Sequence, residues 1–369
     1  MRGIVYVGDG KAELTDALDV RAPGPYEVVV RMVAAGLCHT DLSVLDGTIP
    51  WPAPAAMGHE GAGIVEAVGE SVTLTKPGDH IVVSTIANCG KCRPCNTGHP
   101  TRCRSSIGNR TEPFTFHGDP CSNFAATSSL AERTVIQEIQ AVPIPDDVPL
   151  TSACLIACGV MTGAGSVWNA AQVQRGETAV VFGVGGVGLS AIQALAIAGA
   201  SRIVAVDTVV AKEPIARDFG ATDFVDASQH DVVDAIRSLF PFSADTVTGP
   251  FGAGGVDWAF ECTGNPAVLK ASLEILEWGG TAVAVGVPSQ GTEVGVPVNP
   301  MVHLDRTLMG VRYGEARPRR DIPMIVDMYR DGRFKLDEMV SQVYELPDWE
   351  RAIHDLESGA LARGVIQVS

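Results

Sequence analysis

The 369-residue sequence holds no apolar run long enough to cross a bilayer. The most apolar stretch, around 178–206, is broken by Gly, Arg and Asp well short of about 18 residues. Positive charge is scarce. Against 43 Asp and Glu stand 27 Lys and Arg, a formal net charge of −16 that sets nucleic acid and anionic membranes aside as partners. Internal repeats and low-complexity tracts are absent. Residues 1–9 read as a strand and a turn without the apolar centre of a signal peptide, so the expected location is cytoplasmic. The nine cysteines are clustered and unevenly spaced, which argues for metal binding over a disulfide framework. With 46% hydrophobic and 19% charged residues, the composition excludes disorder and fits two or three domain-sized units.

The first 150 residues are strand-like and rich in turns. Short β-rich runs at 28–33, 61–68 and 81–84 are bounded by Pro-Gly and Gly-Asp pairs, a pattern for a β-rich domain. The character changes near residue 160. From 178 the chain reads strand, glycine turn, helix to about 198, then strand at 202–206. Further segments follow at 224–225, 232–239, 256–260, 267–276 and 281–285. This alternation predicts an α/β unit with a doubly wound parallel sheet. Helices are expected at 322–330 and 348–358, and a last strand at 364–368. The segment 241–255, rich in Gly, Pro, Ser and Thr, reads as a surface loop.

Cys89, Cys92, Cys95 and Cys103 form C-x2-C-x2-C-x7-C within 15 residues. Four thiolates close a tetrahedral zinc site and leave no open position, so such a site is structural. Iron–sulfur clusters use similar spacing. No other cluster feature accompanies it here, so zinc is the expectation. A catalytic zinc needs three protein ligands and one exchangeable position, and two cysteines with one histidine is an established set. Cys38, His59 and Cys158 are candidates. By spacing alone none is distinctive, since a cysteine in an apolar run packs as core and a lone histidine is commonly structural.

Gly183-Val-Gly185-Gly186-Val187-Gly188 follows an apolar strand and opens a helix, and Asp207 stands 19 residues after the last glycine. That context is the one a dinucleotide-binding turn requires. Gly183 serves the turn, Gly185 the close approach of the pyrophosphate, and Gly188 the packing of helix on strand. A carboxylate at Asp207 accepts hydrogen bonds from ribose hydroxyls and repels a 2′-phosphate, which favours NAD over NADP.

Taken together, Gly36-Leu-Cys-His-Thr-Asp41, Gly58-His-Glu-Gly-Ala-Gly63, the four-cysteine lobe, Ala157-Cys-Gly-Val-Met-Thr-Gly163 and the glycine turn resemble the zinc-dependent alcohol dehydrogenases of the medium-chain dehydrogenase family, in order and over nearly the whole chain. His117-Gly-Asp-Pro-Cys and Ala126-Thr-Ser-Ser-Leu-Ala resemble the long-loop subgroup of animal-type and glutathione-dependent enzymes.

The resemblance implies a GroES-like catalytic domain over 1–159 and 312–369 with a zinc lobe at 89–103, and an NAD-binding Rossmann domain over 160–311, with the active cleft between them. It implies two zinc ions per chain, the catalytic one on Cys38, His59 and Cys158. Glu60 and Asp41 become carboxylates behind the ligands, Asp41 orienting a ligand histidine. Thr40 binds the substrate oxygen and starts a proton relay. His39 and Arg363 become pyrophosphate contacts, Asp207 and Lys212 adenosine-ribose contacts, and Gly186, Val187 and Val285 line the cofactor.

The implied reaction is reversible, zinc-assisted hydride transfer between NAD and an alcohol. The alternatives are oxidation of an S-hydroxymethyl thiol adduct, with Arg104 and Arg110 as candidate anion contacts, and a non-catalytic zinc and nucleotide binder. The strand at 281–287 and the segment 297–304 resemble a subunit contact, implying a homodimer or homotetramer. Three departures stand out. Ser43 occupies the place of a relay histidine, Thr85 stands where a bulky aromatic lines the substrate pocket, and the 241–255 loop is long.

Overall fold

The computed structural model describes residues 1–106, 111–241, 254–359 and 361–369. Arg110 and most of the 241–255 loop lie outside them. The chain divides into two compact units, Met1–Met161 with Ala316–Ser369, and Thr162–Glu315.

The first unit is built on a seven-stranded sheet. Its spine is Glu27–Gly36, which pairs antiparallel with Glu60–Val68, with Arg133–Gln137 and with the C-terminal strand Arg363–Gln367. Val28, Val30 and Met32 alternate into an apolar core with Ile81, Val83 and Ile136, the period-2 pattern of a sheet buried on one face. Glycine is required where the spine and its neighbour close up: a Cβ at Gly63 would lie 2.2 Å from the Arg31 carbonyl oxygen, beside a register shift at Met32/Ala34. A smaller six-stranded sheet joins the N-terminal hairpin Gly3–Gly8 and Lys11–Thr15 to Phe114–Phe116 and Asp119–Asn123, within the long stretch after the cysteine lobe.

The second unit is a six-stranded, wholly parallel sheet in the order Asp223–Asp226, Arg202–Asp207, Thr178–Phe182, Val256–Glu261, Leu276–Ala284, Thr307–Gly310. The central strand, Thr-Ala-Val-Val-Phe, is nearly continuous in apolar residues, as expected of a parallel strand covered on both faces. The order runs outward in both directions from Thr178–Phe182. This is the doubly wound arrangement, in which ligands bind where the strand order reverses. The glycine turn follows that strand. Among the described residues no single helix is long and apolar enough to cross a membrane.

Candidate active site

The strand Glu27–Gly36 ends two residues before Cys38, and the short helix His39–Leu45 begins one residue after it. Asp41 caps this helix. Its Oδ2 accepts the Cys38 backbone N–H at 3.1 Å, the reciprocal contact of a capping box. Its Oδ1 lies 3.2 Å from His59 Nδ1. One buried carboxylate therefore fixes both the backbone of Cys38 and the ring of His59. His59 Nε2 is buried and faces the Cys38 and Cys158 thiols.

Cys38, His59 and Glu60 offer donor atoms within 4.8 Å of one another. Cys158 joins them from the break between the helical turn Cys154–Ala157 and the helix Gly159–Gly165. Its thiol hydrogen-bonds Cys38, which holds the Cys38 pKa well below the ordinary thiol range, with the His59 charge adding to the effect. The Cys158 pKa is pushed well above that range by the same contact and by burial.

Two neighbouring thiols, beside an imidazole whose Nδ1 is held by Asp41 and whose Nε2 faces them, form a donor set suited to a divalent metal, whose binding displaces the protons. The residues present fit a catalytic zinc.

Behind the donors lies a buried ion pair. Arg363 Nη2 donates to Glu60 Oε2, with side chains 5% and 0% exposed. The Gly159 N–H donates to the other Glu60 oxygen at 3.0 Å. Burial raises the Glu60 pKa to about 7 against the opposing pull of Arg363. The pair exists because two positions carry no side chain. A Cβ at Gly36 would stand 2.4 Å from Glu60 Oε2, and one at Gly159 2.5 Å from Arg363 Nη1. The resemblance implies a pyrophosphate contact for Arg363; in the structure its guanidinium is packed against Glu60.

The other expected residues are placed as follows. Thr40 Oγ1 lies 3.6 Å from Cys38 Sγ. Ser43 lies one helical turn beyond Thr40 and is half-buried. His39 is exposed and borders a surface pocket with Lys11 and Trp349. In the lobe, sulfur–sulfur distances are 3.4 Å for Cys92–Cys95, 3.7 Å for Cys92–Cys103 and 3.6 Å for Cys103–Cys89. Ligands about 2.3 Å from a tetrahedral zinc stand about 3.8 Å apart, so this cluster too fits the ion. Backbone N–H groups of Lys91 and Cys92 bring the Cys89 pKa down to about 6.

In the second unit Gly183 has φ +89°, and a Cβ at Gly188 would lie 1.8 Å from its carbonyl oxygen. A Cβ at Gly185 meets nothing within 4 Å, the open approach a pyrophosphate needs at a helix N-terminus. The helix Gly186–Ala198 begins there and carries Val187 in its first turn. Asp207 ends its strand, accepts from the Val184 and Val209 N–H groups at 2.7 and 3.0 Å, and pairs with Lys212 Nζ at 3.2 Å. Val285, 7% exposed, follows the end of the strand Leu276–Ala284.

Two features escaped the sequence. Phe124 stands edge-on to His59, with centroids 5.7 Å apart, and Trp51 stands edge-on to Phe124 at 4.9 Å. No local pattern links these three positions. Glu261, buried at the end of its strand, accepts from the Thr263 and Gly264 N–H groups; an acid ahead of Thr-Gly was its only signal.

The ion pair yields a prediction. Arg363→Met, which leaves Glu60 buried without its partner, is expected to cost about 3–5 kcal/mol in urea unfolding. Adding Glu60→Gln should recover most of that loss. A cost below about 1 kcal/mol for the single variant contradicts the role given to the pair.

Comparison with known proteins bears on the whole chain. Residues 24–146 match the family described as alcohol dehydrogenase GroES-like domain, and residues 186–330 match zinc-binding dehydrogenase. The chain is 35% identical to alcohol dehydrogenase class-3 of Zea mays, over 96% of this chain and 93% of that protein. It is also 35% identical to S-(hydroxymethyl)glutathione dehydrogenase of Paracoccus denitrificans, over 99% of each. The crystal structure of benzyl alcohol dehydrogenase from Acinetobacter calcoaceticus superposes with a TM-score of 0.91 at 36% identity, covering 100% of this chain and 99% of that one. With both of its domains matched and the identity sustained from end to end, the chain belongs to the zinc-binding alcohol dehydrogenase family of oxidoreductases.

Proposed function

We propose that the protein oxidises a primary or secondary alcohol to an aldehyde or ketone, reversibly, with NAD as partner and zinc on Cys38, His59 and Cys158. The observation that carries this reading is His59: Asp41 holds Nδ1, and the buried Nε2 is left to face the Cys38 and Cys158 thiols. When bound, zinc supplies Lewis acidity toward the alcohol oxygen and NAD supplies the hydride acceptor.

The chain's own residues hold the parts. Thr40 Oγ1, beside Cys38 Sγ, receives the alcohol proton. Ser43, on the same face of the helix one turn on, stands next in line before solvent. Asp207 binds the adenosine ribose, with Lys212 beside it, and its charge turns away a 2′-phosphate. The lobe zinc on Cys89, Cys92, Cys95 and Cys103 has a structural part.

A second reading, oxidation of S-hydroxymethyl thiol adducts, is favoured by the name of the Paracoccus relative. Of its two candidate anion contacts, Arg104 is exposed and Arg110 lies outside the described residues. The nine cysteines, none in a disulfide, support a reducing, cytoplasmic setting.

NADH formation over a panel of alcohols, and with formaldehyde with and without thiol, tests the reaction. Alcohol-dependent reduction of NAD is expected, falling at least about 100-fold in Cys38→Ser, and Asp207→Gly should raise the NADP/NAD activity ratio. Full activity in Cys38→Ser contradicts the proposal; activity confined to the thiol adduct selects the second reading.

We further propose a homodimer or homotetramer. Support comes from the edge strand Thr307–Gly310 and the exposed Trp278, Val287, Val298, Val302 and Leu308 around it, since an uncovered edge flanked by apolar groups invites pairing. Sedimentation should give a dimer or larger, and Leu308→Lys should shift it toward monomer. A wild-type monomer at micromolar concentration contradicts this.

A further inference from the structure

The segment just before the ligand histidine is held carbonyl by carbonyl. Ser128 Oγ donates to the Ala56 carbonyl at 2.8 Å, and the Leu130 N–H to the Met57 carbonyl at 3.0 Å. Thr127 Oγ1 and the Ser129 N–H both donate to the Gly58 carbonyl at 3.1 Å. All four donors lie in one turn, residues 124–130, remote in sequence from the segment they hold. The run 126–131 stood out in the sequence only by likeness to a subgroup; here it acquires contacts. Thr127 reaches closest. The Gly58 carbonyl belongs to the peptide that joins His59, and the other acceptor near Thr127 Oγ1, the Phe124 carbonyl, is farther away at 3.4 Å.

The same turn carries Phe124, whose ring stands edge-on to His59. Ser128 Oγ accepts the Phe124 N–H at 3.0 Å, and Gln140 Nε2 donates to the Ala126 carbonyl at 3.0 Å. Thr127, Ser128 and Gln140 are fully buried. The backbone is strained. Ala125, Ala126 and Ser128 have φ of +50°, +62° and +48°, the left-handed region that residues with a Cβ avoid. A turn with no task beyond linking two strands would take glycine there. Clustered strain of this kind persists where the surroundings over-determine it, and it gathers at functional sites.

We infer that Thr127 is a positioning residue for the catalytic metal site. Asp41 fixes Nδ1 of His59, and Thr127 fixes the peptide that carries the ring, with Phe124 from the same turn against its edge. Thr127 acts only through His59. The assignment rests on the zinc dehydrogenase reading above and adds a residue to its machinery. Groups that orient a metal ligand from behind govern how tightly the ion is held.

The test uses full-length, zinc-loaded protein titrated with the chelator pyridine-2,6-dicarboxylate. Zinc per chain is counted, and the ligands of the zinc that stays are read by X-ray absorption. Thr127→Val keeps the side chain's shape and removes its hydroxyl. One zinc is expected to leave this variant at about tenfold lower chelator than in wild type, and the remaining zinc should have sulfur ligands alone, those of the lobe. Thr127→Ser, which keeps the hydroxyl, should match wild type. Ser128→Ala, which frees the Ala56 carbonyl and the Phe124 N–H, should lose the same zinc early. With zinc in excess, kcat of Thr127→Val should fall about tenfold while KM for NAD stays within about twofold.

An unmoved chelator midpoint in folded Thr127→Val, parallel loss of both zincs, or no rescue by Thr127→Ser overturns the assignment. Failure of both Thr127→Val and Ser128→Ala to fold also overturns it, since the turn would then serve the fold alone. A wild type that holds no zinc beyond the lobe overturns instead the catalytic-zinc reading beneath it.

Discussion

Asp41 divides its two carboxylate oxygens between distant parts of the chain. One holds the Cys38 backbone at the start of a helix; the other holds the His59 ring at the start of a strand. This contact fixes the imidazole so that Nε2, not Nδ1, faces the thiols. Without it His59 would be a buried histidine free to choose its tautomer and its rotamer. With it, the chain presents a preformed donor set before any ion arrives, and the entropy of ordering three ligands is met by folding.

The fold around that contact is arranged to tolerate charge in its interior. Glu60 follows His59 in sequence, so its carboxylate is carried into the core whenever the strand forms. Arg363 answers it from the last strand of the chain, which pairs with Glu27–Gly36. Two glycines make the space: Gly36 on the spine strand and Gly159 next to Cys158. The C-terminal strand that completes this part of the seven-stranded sheet thereby also neutralises the buried acid. The second unit follows a separate logic. Its glycine turn stands where the strand order reverses, and Asp207 is tied by backbone N–H groups so that its charge sits at a fixed place beside Lys212.

Much of this was legible because the signals are local. The parallel strand Thr178–Phe182 is a short apolar run closed by glycine, and the helix Val232–Leu239 ends where its apolar period ends. The cysteine lobe closes within one loop. What could not be read depends on pairing between distant segments. The strand Val340–Glu345 is largely exposed and carries no apolar alternation; it exists because Arg363–Gln367 lies beside it. The hairpin Phe114–Phe116/Asp119–Asn123 turns on His117 and Gly118, both at positive φ; the glycine marks the turn, but its strands are too short to show an apolar alternation. The Phe124 contact to His59 and the Glu60–Arg363 pair are likewise long-range. For the same reason Cys38, His59 and Cys158 were individually unremarkable: their meaning lies in convergence, which sequence spacing does not encode.

The central claim is that this converged set holds a second zinc of different chemistry from the lobe. Zinc X-ray absorption on the full-length protein tests it most directly. The account predicts about two zinc ions per chain, with an average of about three sulfur ligands and one nitrogen or oxygen ligand per ion. About one zinc per chain, bound by sulfur alone, would contradict it.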